Sequence, residues 1–110
     1  MKDFLSEQEI ERAVRYLATS AEEYALAKSN MKYLDDKKKT TLAVVTMRMT
    51  GKSNAENKTR AEASEEFRKV VDESRDAVRA FTLIDAKRAA AEIWVETWRT
   101  QEASKRRGNI

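Results

Sequence analysis

Cysteine and histidine are both absent from the 110 residues. Without them there is no disulfide, no thiol nucleophile and no zinc site of Cys or His type. Ser-His and Cys-His catalysis and imidazole ligation of haem are excluded too, as is the usual physiological-pH switch. Proline is also missing, and glycine occurs only at Gly51 and Gly108. A chain with so few breakers can carry helices well beyond the ordinary three turns. The longest uncharged run, 40–47, is far too short to span a bilayer, and Met1-Lys2-Asp3-Phe4-Leu5 turns acidic at once, without the apolar centre of a signal peptide. These absences predict a cytoplasmic protein with no membrane contact, no metal, no cofactor and no catalytic residue.

What is present is charge in helical register. Charged residues make up 37% and the hydrophobic set 41%, a balance that suits long helices better than a thick core. Disorder is the competing reading of so polar a chain, but the apolar residues recur at fixed spacing and are not merely sparse. A capping box, Ser6-Glu7-Gln8-Glu9, stands before the first run. A 4-3 series then passes through Ile10, Val14, Leu17, Ala21, Tyr24, Lys28, Met31, Asp35, Lys38, Leu42, Val45 and Met49, with nine of the twelve apolar. Gly51 interrupts it, and a second box, Ser53-Asn54-Ala55-Glu56, restarts the chain. The second series reads Ala63, Phe67, Val70, Ser74, Ala77, Phe81, Ile84, Arg88, Ala91, Val95, Trp98 and Glu102, again nine of twelve apolar. Lys105, Arg106 and Arg107 before Gly108 form a basic last turn with a glycine cap. The β-branched segment 40–47 could be a strand, but no second strand candidate exists to pair with it.

The fold expected is therefore all-α: a single domain, 1–110, built as a long antiparallel helical hairpin of coiled-coil-like packing. It has one helix over about 7–50, a turn at about 51–54 and a second helix over about 55–107. A turn centred near Lys52 brings together residues whose numbers sum to about 105: Tyr24 by Phe81, Ile10 by Val95, Leu42 by Ala63. Phe4, Leu5, Ile10, Trp94 and Trp98 gather as an aromatic clasp at the open end. Charge selects the same alignment. Residues 1–27 carry three basic and six acidic groups against seven and four in 78–110; residues 28–60 carry nine and three against three and six in 61–77. Opposite blocks face each other, as pairing by flanking charges requires.

With Lys28 included, Lys32, Lys37, Lys38, Lys39, Arg48, Lys52, Lys58 and Arg60 leave the turn half at net +3 after the acidic facing stretch is counted. Together with Lys105, Arg106 and Arg107 they are the candidate nucleic-acid-binding set. A solvated face paired with Glu62, Glu65, Glu66, Asp72 and Asp76 is the bland alternative, and a helix C-terminus attracts cations in any case. Glu62, Glu65 and Glu66, then Glu73 and Asp76, superficially resemble the paired carboxylates of all-α nucleotide pyrophosphatases. Those enzymes carry their pairs on separate helices, whereas here one continuous helix is expected. Lys28, Asp35, Lys38 and Arg88 interrupt the seams, where a charge is expensive unless paired; they are read as snorkelling or as setting the register, the alternative being that they line a contact with another subunit or a ligand. Ala13, Ala27, Leu34, Val44, Met47, Val71, Val78, Ile93 and Trp94 lie beside the seams. Two helices cannot cover stripes this wide. Leu34, Val44, Met47, Val71, Val78 and Trp94 are therefore the candidate interface of a homo-oligomer completing a helical bundle, most simply a dimer.

The stretch Ala89-Ala90-Ala91-Glu92-Ile93-Trp94-Val95-Glu96-Thr97-Trp98-Arg99, continuing to Arg107, resembles the ends of small phage-encoded helical proteins. So do Tyr24-Ala25-Leu26-Ala27-Lys28 and the region 38–47. Such proteins are often encoded among early genes for DNA recombination and replication. The resemblance implies a non-enzymatic accessory or scaffold protein in the host-cell cytoplasm, with single- or double-stranded DNA as a partner. The alternative is a protein–protein adaptor or host-factor inhibitor that never touches nucleic acid.

Overall fold

The computed structural model describes residues 6–108. Phe4 and Leu5 of the expected aromatic clasp lie outside them. The described chain is all-helical, in the order α1 (Glu7–Thr19), α2 (Ala21–Arg48), α3 (Asn54–Glu62) and α4 (Glu65–Gly108). The segment 40–47 belongs to α2, where the Thr46 hydroxyl donates to the Leu42 carbonyl at 2.6 Å. In this way a β-branched polar residue satisfies itself within a helix.

Two compact units divide the chain: residues up to Tyr24 with Thr82 onward, and Ala25–Phe81. Each is a section of antiparallel hairpin. In the first, α1 packs on the later part of α4, burying Ile10, Ala13 and Ala91. In the second, α2 and α3 pack with the early part of α4 around Leu34, Val45, Ala61, Val70 and Ala77. Among the described residues Ile10 is the one large side chain buried in the first of these cores.

The caps follow the sequence. Ser6 and Glu9 form the complete capping box, each side chain accepting from the other's backbone N–H. At the second start Ser53 accepts from the Glu56 N–H at 3.1 Å, while the Glu56 carboxylate reaches one residue further back, to the Lys52 N–H at 3.0 Å. Gly51 donates to the Asn57 side chain, and a Cβ at Gly51 would run into that same oxygen. A side chain at Gly51 would have to displace the Asn57 and Glu56 side-chain ends, and the backbone there is not left-handed, since no glycine has positive φ. Gly108 is simply the last residue of α4 and not a left-handed cap.

Two breaks depart from the expected pair of uninterrupted helices. The first helix is broken at Ser20. The second is broken at Ala63–Ser64, where Ser64 begins a new helix by accepting from the Phe67 N–H at 3.2 Å. Ser64 is followed by Glu65 and Glu66, acidic groups suited to a helix start. Because α3 takes up chain beside the turn, pairing begins later than expected. Lys37 meets Glu73 and Arg48 meets Glu66, five and nine residues beyond a register summing to 105, and Ala63 is exposed.

The seam of the first helix is corrected in one respect. Positions 10, 17, 24, 31, 38 and 45 face inward as expected, and so do Leu42 and Met49, but the intervening positions expected at 14, 21, 28 and 35 lie one residue earlier. Ala13, Ser20 and Leu34 are buried and Ala27 is half-buried, whereas Val14 is 51% exposed, Ala21 and Lys28 are exposed, and Asp35 is only half-buried. Small residues at 13, 20 and 27 let the helices approach closely, and the shift turns Lys28 and Asp35 toward water, lowering their desolvation cost. In α4 the expected series from Phe67 to Glu102 is buried or half-buried at every position.

Candidate interaction surfaces

The most specific polar cluster lies in the first unit, around Arg88. Its guanidinium donates to the Leu17 carbonyl and to the Ser20 hydroxyl, both at 2.7 Å, and stands 5.0 Å from the Tyr24 ring centroid. In an unbroken helix the Leu17 carbonyl would accept from the N–H of residue 21. Here it takes Arg88, and the helix breaks at Ser20, a side-chain insertion into the backbone ladder. Ser20 is buried and polar, and Arg88 is what satisfies it. Arg88, one of the charges interrupting the seam, thus makes its hydrogen bonds across the helix pair. Ser20 itself was not singled out by spacing, since a serine at a seam edge reads as a neutral small residue.

The Tyr24 hydroxyl donates to Asp85 at 3.1 Å, one helical turn along α4 from the Phe81 expected opposite it. This bond to a carboxylate, aided by desolvation and by the negative charge of Asp85, holds the phenol above its ordinary pKa despite the nearby Arg88 charge. A raised folded-state value means the bond stabilises the fold fully below the unfolded phenol's pKa, near 10, and is lost as pH rises through the higher folded value. An ultraviolet phenolate titration of wild type against Asp85→Asn is therefore expected to show a Tyr24 midpoint that moves down in the variant. An unchanged profile would remove Asp85 as the cause.

Among the candidate basic residues, most have acidic neighbours. Lys37 lies 3.8 Å from Glu73, Lys38 and Lys39 lie 3.7 and 3.5 Å from Asp35, and Arg48 lies 3.0 Å from Glu66. Arg60 lies 3.7 Å from Glu56, and Lys105 lies 3.4 Å from Glu102. Lys32, Lys52, Lys58, Arg106 and Arg107 are exposed and have no ion pair among the described residues. The paired groups are solvent-exposed, so each pair contributes about 0–1 kcal/mol and opens readily. The set is split between the units: Lys32 through Arg60 belong to one, Lys105, Arg106 and Arg107 to the other.

Of the candidate interface, Leu34 is buried in the seam and is corrected to a core residue; Val71 is half-buried. Val44, Val78 and Trp94 are exposed by 39, 45 and 46%, and Met47 by 85%. Ile93 and Leu83 are exposed as well. Two apolar grooves of the first unit were not foreseen. One, of about 300 Å³, runs over Ala13, Tyr16, Ala90, Ala91 and Trp94, between Arg12 and Lys87. The other is lined by Ile10, Val14, Ala18 and Trp98, with Glu7, Glu11 and Arg15 at its margin. Their signal in the sequence was the pairing of Tyr16 and Trp94 with small alanines, visible only once α1 and α4 are aligned.

Among the described residues no helix is long and apolar enough to cross a membrane, and no three His, Cys, Asp or Glu side chains group as a metal site would require. No family model, characterised protein or solved structure matches the chain. The class the molecule defines on its own is an all-α protein of two units, each built of packed helices.

Proposed function

We propose that the protein is a non-enzymatic helical accessory protein that acts by self-association and binding. The observation that carries this reading is the imbalance of the first unit. Among its described residues the buried apolar side chains are Ile10, Ala13 and Ala91, whereas Val14, Leu83, Ile93 and Trp94 are about half or more exposed. A core that slight contributes a few kcal/mol at about 25 cal/mol per Å², so covering the exposed apolar side chains is a comparable gain. Light scattering across a size-exclusion peak at tens of micromolar should give at least twice the mass of one chain. A single-chain mass would end the reading.

Nucleic acid is the second reading, favoured by the exposed, unpaired Lys32, Lys52 and Lys58 and by the resemblance to phage proteins of DNA recombination and replication. In that case affinity for DNA falls steeply with salt as phosphates release counterions, with little sequence preference. Replacing these three lysines with glutamine should weaken binding to every sequence and flatten the log–log salt slope by up to about 3. Fluorescence anisotropy with single- and double-stranded oligonucleotides measures it. No binding at low ionic strength leaves the protein–protein adaptor as the role of the assembled form.

A further inference from the structure

The two grooves of the first unit differ in the sign of their margins. The groove under Trp94 is flanked by Arg12 from α1 and Lys87 from α4, and no carboxylate lines it. The groove over Val14 is flanked by Glu7 and Glu11, and its one cation, Arg15, is held by Glu11 at 3.0 Å. They share no residue. On α1, Val14 and Ala18 project about 160° away from Tyr16 at 100° per residue, so the grooves open to opposite sides of that helix.

Resting on the self-association reading, we infer that the partner of each groove is the other groove on a second copy of this chain. The apolar surfaces suit each other: Tyr16 and Trp94 on one side, Val14, Ala18 and Trp98 on the other. The charges decide the orientation. Two copies of the Trp94 groove face to face bring Arg12 and Lys87 against their own kind, and like charges at a contact rim cost affinity. Turning the acidic groove of one copy onto the basic groove of the next sets Glu7 and Glu11 opposite Arg12 and Lys87. This contact is heterologous: each copy uses a different surface to accept and to insert. Such contacts propagate into rings or open chains of subunits and do not close at a two-fold dimer.

The geometry has a signature that no symmetric dimer shares. Trp94→Glu disables one groove and Val14→Glu the other, and both sites are exposed enough to accept the change without entering the core. Each variant alone is expected to run as a single chain by light scattering. An equimolar mixture retains one intact groove of each kind and should form a species of twice the chain mass. Wild type should grow beyond the dimer as concentration rises. Arg12→Glu with Lys87→Glu, against Glu7→Lys with Glu11→Lys, repeats the test at rim positions outside the apolar core. There each double variant should weaken assembly at least tenfold, and the mixture should restore it. If wild type assembles but Val14→Glu assembles equally well, or if the mixtures stay single chains, the groove-to-groove contact is wrong while self-association stands. If wild type is itself a single chain, self-association falls and this contact with it.

Discussion

Replacing Arg88 with methionine is expected to destabilise the protein by about 2 kcal/mol, lowering the melting temperature by on the order of 10 °C. Methionine preserves much of the side-chain volume but none of the donors. The Leu17 carbonyl and the buried Ser20 hydroxyl both lose a charged partner at 2.7 Å, and the cation over the Tyr24 ring is lost as well. Hydrogen bonds to charged groups are worth about 1.5–3 kcal/mol each, reduced here because Arg88 is only half-buried; the ring contact adds about 0.5–1. Lysine should rescue little, since it lacks the planar fork that serves two acceptors. The effect should be coupled: Ser20→Ala ought to cost less in the methionine background than in wild type, by about 1 kcal/mol in a double-mutant cycle. Urea denaturation followed by circular dichroism measures all five proteins. A methionine variant within about 0.5 kcal/mol of wild type would mean that water replaces the guanidinium without loss.

Leu34→Ala should cost about 2–3 kcal/mol, while Asp35→Ala and Val14→Ala change stability by less than about 0.5. Leu34 is 7% exposed, in the seam of the second unit, and truncating it leaves a cavity that the surrounding side chains can close only in part. The Asp35 carboxylate is 51% exposed and pairs with the half-buried Lys38 and the exposed Lys39, while Val14 is itself 51% exposed. These three substitutions discriminate between two heptads that share half their positions. Had the seam run through Val14, Lys28 and Asp35, the costs at 14 and 34 would be reversed.

That ambiguity shows how far spacing reaches. Positions 10, 17, 24, 31, 38 and 45 belong to both possible heptads, so either choice places them inward. The remaining positions could be read as Val14, Ala21 and Lys28, or as Ala13, Ser20 and Ala27. Hydropathy favours Val14 over Ala13; packing chooses the reverse, because smaller side chains at the interface bring the helices closer and let charged neighbours reach water. Helix α4 was unambiguous because Phe67, Val70, Ala77, Phe81, Ile84, Ala91, Val95 and Trp98 admit a single inward face. Among the candidate surfaces, the basic residues were legible as residues but not as free or paired charges. Lys37 finds Glu73 only in a register shifted by α3, whose start at Ser53 was visible and whose end at Ala63 was not.

The absence of proline, the scarcity of glycine and the two periodic series determined by themselves that this chain is helical and antiparallel. Backbone propensity and apolar spacing act over a few residues and are written locally. The exact inward face of the first helix, the breaks at Ser20 and Ser64, and the sorting of lysines into paired and unpaired were decided only in the tertiary structure. Each depends on a partner distant in sequence: a guanidinium from Arg88 entering the Leu17–Ser20 turn, or a carboxylate from Glu66 or Glu73 arriving beside Arg48 or Lys37. Local spacing marks a position as polar or apolar; which group satisfies it is settled by the helix packed against it.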